Sequence, residues 1–242
     1  MLTSTESTPI EQSYAYRHAA HPFWITPKEF GFLKDLGHHL LSFYQAANRL
    51  YLDSAQGIAP RSVSEYLDTG KPASIIAYGR MGRFSDGLPG IIRPDLILPD
   101  PMDSVEGTPS AGGAPPAYGM VATELDSVPG GIGQPLWLAQ QYPQQPIIGG
   151  RHGMRNGFIQ MIHALSPKRN PVLAIIVSEE SRSYFSEMAF LGEECNKAGL
   201  ETVVAPPEAV SFREEGVFVT SGKKCHPVQI LYADRAAEER VS

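Results

Sequence analysis

Asp95, Glu124 and Asp126 stand in two short segments, RPDLIL and VATELD, where polar residues alternate with apolar ones. Side chains two apart on a strand share one face, so Arg93 goes with Asp95 and Glu124 goes with Asp126. If the two strands pair, the three carboxylates converge on one side of a sheet. Carboxylates so placed repel unless a cation offsets them, and oxygen donors of this kind suit a hard divalent ion, most simply Mg²⁺. Arg93 on the same face is placed to contact a phosphate oxygen. The turn that follows, Ser127-Val128-Pro129-Gly130-Gly131-Ile132-Gly133, lets backbone N–H groups approach an anion without side-chain obstruction, with Ser127, Gly130 and Gly131 as its cofactor-binding candidates. Carboxylates beside a glycine-rich turn are what phosphoryl chemistry needs. The same spacing also describes an ordinary hairpin with surface acids and a tight turn, and it leaves both readings open.

The elements that must position these residues are read from periodicity. Thr26 followed by Pro27 is an N-cap and first-turn pair, and Phe30, Leu33, Leu36, Leu40, Phe43, Ala47 and Leu50 recur at helical spacing, which predicts a long amphipathic helix ending near Gly57. A shorter helix is expected over residues 61–69, then strands at Ser74–Tyr78, Gly90–Leu98 and Gly119–Asp126. Between the last two, DPMDSVEGTPSAGGAPPAYG is too rich in Pro, Gly and Ser for regular structure and reads as a long hairpin excursion. From Pro171 onward the pattern is β-turn-α-β: VLAIIV is a strand covered on both faces, SEESRSYFSEMAFLGEECNKAG a helix stopped by Gly199, and Glu201–Ala205 the next strand. Further short strands are expected at Gly216–Thr220 and Val228–Tyr232, and SPKRNP marks a domain boundary.

Composition excludes several classes. With 42% hydrophobic and 19% charged residues the chain is globular, and a net charge of −6 without a Lys/Arg cluster argues against nucleic acid or anionic lipid as partner. No apolar run is long enough for a membrane span, and the N-terminus MLTSTESTPIEQ is not a signal peptide, so the expected place is the cytoplasm. Cys195 and Cys225 fit neither a redox pair nor a zinc knuckle and read as inert thiols. His38 and His39 are adjacent on one helix and point apart, so they make no metal pair. Hydrolase signatures GxSxG and HExxH are missing, and SEESR after VLAIIV lacks the glycines of a dinucleotide turn.

RPDLIL followed, after an insertion, by VATELDSVPGG resembles the circularly permuted ATP-grasp proteins, and the resemblance continues through VLAIIVSEESRSYFSEMAFLGEECNKAGLETVVAPPEAV and GVFVTSGKKCHPVQILYADR. Glutathionylspermidine synthase-like proteins are distant relatives of that family. The resemblance implies an α/β fold: an N-terminal arm and helices over 1–72, an α+β metal-bearing half over 73–168, and a Rossmann-like pre-ATP-grasp unit over 169–242. It further implies an ATP-dependent carboxylate–amine or carboxylate–thiol ligase using ATP and Mg²⁺, with Asp95, Glu124 and Asp126 as metal ligands and Arg93 on the phosphates. Asp126 stands where the family often has Asn, which adds a negative charge. Ser178 and Tyr184, after the first strand of the C-terminal unit, are expected at substrate. Apart from the resemblance, Arg151 and Arg155 beside the paired glycine of GGRHGMRNG could bind an anion or a second phosphate, but basic side chains in a glycine-rich linker read first as plain solvated residues. The sequence ends at AAEERVS, short of the family's phosphate-holding lysines; Lys168, Lys197, Lys223 and Lys224 lie at linker, helix-end or turn positions. The resemblance therefore implies small-molecule acid and amine substrates and a separate chain, or a longer product, supplying the rest of the ATP site. The alternative expectation is a non-catalytic member that keeps the fold as a binding subunit.

Overall fold

A computed structural model describes residues 19–97, 121–126 and 131–233. The chain is mixed α/β with a long N-terminal helix. The described residues form two compact units, 24–126 and 19–23 with 131–233, where the sequence had placed boundaries after residues 72 and 168. The insertion between RPDLI and VATELD and the last residues, 234–242, lie outside the described residues.

The first unit opens with α1 (Pro27–Ala55), 29 residues long. Thr26 caps it as expected: Glu29 N–H donates to Thr26 Oγ1 at 3.2 Å, and the Glu29 carboxylate reciprocates on Thr26 N–H. That backbone hydrogen bond holds the Glu29 carboxyl below its ordinary range. At the other end Gly57 adopts φ 77°, and Ile58 and Gly57 N–H groups return to the Asp53 and Ser54 carbonyls. This closes the helix in a Schellman turn. α2 (Arg61–Asp68) packs back on α1. Buried Ser54 joins them, its hydroxyl donating to Pro60 C=O at 2.6 Å and accepting from Ser64 N–H at 2.9 Å.

Ser74–Tyr78, expected as a strand, is instead the short helix α3 (Ala73–Gly79). Ile75 and Ile76 carry a strand propensity that is weak and context-dependent. Pro72 overrides it by presenting a carbonyl to the Ile75 and Ile76 N–H groups, and its fixed φ suits helix entry. The strands β1 (Arg93–Ile97) and β2 (Val121–Asp126) form an antiparallel ribbon, and β1 begins at Arg93 rather than at Gly90.

The second unit is built on β3 (Leu173–Ile176), all four residues of which are buried. It pairs in parallel with β4 (Thr202–Ala205) on one side and β8 (Ile230–Ala233) on the other. Between β3 and β4 runs α6 (Phe185–Lys197), which ends on Gly199 at φ 92°, with Leu200 N–H on Cys195 C=O. The antiparallel strands β5 (Val210–Arg213), β6 (Gly216–Ser221) and β7 (Lys224–Val228) form a second sheet. Ala174, Ile176, Val203 and Ala205 of the parallel sheet share one core cluster with Val219 and Val228 of the antiparallel one. Helices occupy the opposite face. α4 (Gly133–Gln141) and α5 (Gly153–Leu165) both pack on α6, and Phe158 of α5 meets Tyr232 of β8 edge-on at 5.4 Å.

The expected strand Val228–Tyr232 is two strands in two sheets. Gln229 separates them because its backbone N–H and side-chain oxygen bind both polar groups of Val172, at 3.1 and 2.9 Å. α4, α5 and β5 were not read from the sequence. No helix among the described residues is long and apolar enough to cross a membrane.

Candidate functional site

The ribbon brings Arg93, Asp95 and Glu124 together. Its register sets Asp95 opposite Glu124 and Arg93 opposite Asp126, then shifts between Asp95 and Leu96. Thr123 is the residue left over by that bulge, and its hydroxyl donates to the Asp95 carbonyl at 3.3 Å. Residues directly opposite in such a pair stand with Cβ atoms about 5 Å apart, close enough for two carboxylates to share one ligand. On β1, Pro94 and Leu96 are half-buried while Arg93, Asp95 and Ile97 face solvent. The acidic face is therefore the wet face.

Arg93 Nε lies 3.7 Å from Asp95 Oδ1, with side-chain exposures of 48% and 53%. The guanidinium is thus held on the carboxylate it was expected to accompany, and it offsets part of the acidic charge. Among the described residues no three His, Cys, Asp or Glu side chains are placed to hold a metal ion. The backbone of Asp126, the third expected ligand, is in the ribbon, but its side chain is outside the described part, as are Ser127 and Gly130. The donors present, two carboxylates facing each other across a ladder, are the hard oxygen type that a divalent ion such as Mg²⁺ accepts.

The remaining expected residues belong to the second unit. Gly131 has φ 76° and leads into α4. Ser178 follows β3, the central strand whose neighbours lie on opposite sides, so it stands at the carboxyl end of a switch in strand order. Its hydroxyl oxygen is buried without a hydrogen-bond partner among the described residues. Tyr184 ends the 3₁₀ turn Arg182–Tyr184 and is exposed. Arg151 is exposed in the turn before α5. Arg155 is not a linker residue. It lies on α5 with its side chain only 16% exposed and Nη1 3.6 Å from Glu194 Oε2.

Glu194 is the centre of a buried polar cluster. Lys197 Nζ donates to Glu194 Oε1 at 2.8 Å, and Gln140 Nε2 to Oε2 at 3.1 Å. Burial pushes the carboxyl up, but these donors, with the charges of Lys197 and Arg155, outweigh it and hold Glu194 below its ordinary value. Glu187, two turns earlier on the same face of α6, is fully buried and accepts from Gln134 N–H at 3.0 Å in the first turn of α4. Beside them Cys195 is buried, and burial pushes its thiol to about 12, whereas Cys225 is exposed.

A second polar network lies in the first unit, where no motif points to it. Tyr51 donates to Asp68 Oδ1 at 2.7 Å and accepts from Arg80 Nε at 3.1 Å, while Arg80 also pairs with Asp68. Burial, then the bond to Asp68, raises the Tyr51 phenol above its ordinary value. These residues come from α1, α2 and the end of α3, so only the packed fold assembles them. No protein-family model matches the chain, and neither a curated protein nor a solved structure does.

Proposed function

We propose that the chain is a component of an ATP-grasp-type ligase, joining a carboxylate to an amine or thiol with ATP, and that Asp95, Glu124 and Asp126 carry its magnesium. The observation that supports this reading is the ribbon register, which sets Asp95 opposite Glu124 and position 126 opposite Arg93 on adjoining strands. Asp95 and Glu124 would hold the ion with Asp126 completing the set, and the ion would neutralise phosphate oxygens during phosphoryl transfer. Arg93, already at the acidic face, donates to a phosphate oxygen when the anion arrives. The α/β unit around β3 is the pre-ATP-grasp part in this reading.

The ion pair between Arg93 and Asp95 favours a second reading, in which the chain is a non-catalytic subunit of the same fold. Arg93 compensates the Asp95 carboxylate without a metal. Calorimetric titration of Mg-ATP into the chain separates the two. The ligase reading expects binding that the Glu124→Gln change removes, whereas the subunit reading expects no heat of binding at millimolar nucleotide.

A further inference from the structure

We infer that the cleft between α1 and residues 85–89 in the first unit binds a small organic monocarboxylate with an apolar body. The cleft has a volume of about 370 Å³, within the range of small-molecule sites, and Tyr44, Ala47, Leu67, Lys71 and Pro89 contribute to its lining. Its far wall is held in place. Asn48 Nδ2 on α1 donates to the Ser85 carbonyl at 2.7 Å, which pins the segment before Gly87 and Pro89 across the helix.

The charges at the cleft decide what it takes. Tyr51 is part of the lining, but its hydroxyl is used in both directions, donating to Asp68 and accepting from Arg80. Asp68 and Arg80 in turn neutralise each other. Lys71 is what remains: among the described residues no carboxylate lies within ion-pair distance of it. One ammonium over aromatic and aliphatic walls complements a single negative charge on an apolar body. A phosphate, needing two or more converging donors, finds one cation. The neighbouring cleft of about 380 Å³ differs, since it presents Arg49, Asp53 and Asp86 together and Arg49 is paired with Asp53 at 3.8 Å. The charge left over there is the negative one of Asp86, which has no ion-pair partner among the described residues.

This site is independent of the acidic ribbon, and its test uses neither metal nor nucleotide. The full chain is titrated with 4-phenylbutanoate, with its neutral amide and with inorganic phosphate, followed by ligand-observed NMR. The carboxylate is expected to bind at millimolar concentration, more tightly than the amide or phosphate. Lys71→Met should weaken the carboxylate about two- to fivefold, the scale of one exposed ion pair, and leave the amide unchanged. Ala47→Phe, placed on an exposed helical position, should fill the cleft and abolish both while the circular dichroism spectrum stays that of the parent. Absence of carboxylate binding to the folded chain overturns the proposal. So does equal affinity for carboxylate, amide and phosphate, or binding insensitive to both substitutions.

Discussion

At the scale of single residues the most consequential group is Glu194, because its carboxylate is buried and its partners come from three helices. Its folded pKa lies below the ordinary value, so the stabilisation it gives is present above the unfolded pKa of about 4.3 and is lost as pH falls through the folded one. Glu194→Gln should cost about 1–3 kcal/mol at neutral pH, by leaving buried donors poorly satisfied. The difference from the parent should then shrink on acidification. Urea unfolding at neutral and acid pH checks this, and two parallel profiles would sink it. Part of the cluster was legible: Glu187 and Glu194 sit seven apart in SEMAFLGEECNK, on the face that also carries Met188, Leu191 and Cys195. What they bind was not, since Gln134, Gln140 and Arg155 fall in segments whose glycines and prolines read as turn and linker.

At the scale of elements, the caps carried the most information. Thr26 with Glu29, and the glycines at 57 and 199, mark helix ends that the hydrogen bonds reproduce. The pairing of RPDLI with VATELD was legible from alternation, but the bulge at Thr123 was not, because nothing in the side-chain pattern announces an extra residue. α4 escaped for a different reason. Its first residue, Gly133, reads as turn chemistry, yet a Cβ there would meet the Glu187 carbonyl oxygen at 2.1 Å. That glycine is a packing requirement of α4 on α6. Gly133→Ala should therefore destabilise the chain by about 1–3 kcal/mol through overpacking, seen as a lower Tm. An unchanged Tm would show that α4 does not rest on α6 as described.

At the scale of the whole molecule, the two units differ in how they are held together. Every buried hydrophobic side chain of the described residues lies between Ile132 and Val228, whereas in residues 24–126 the fully buried positions are Ser54 and Ser64. Burying a large aliphatic side chain contributes about 1.5–3 kcal/mol, so the second unit holds most of the stability. Amide hydrogen exchange should be slowest in β3 and α6 and much faster across α1–α3. Equal protection in both units would contradict this. The sequence pattern did not foretell the asymmetry, because the apolar stripe of α1 has the spacing of a core-facing helix while Phe43 and Leu50 are exposed.

The central claim is that the acidic face of the ribbon binds a metal–nucleotide pair. The direct measurement is calorimetry of ATP binding in magnesium and in EDTA, for the parent chain, Asp95→Asn and Glu124→Gln. The account predicts binding to the parent that needs magnesium and is lost in both variants. Binding that survives EDTA or both substitutions, or no binding to the folded parent at all, would contradict it.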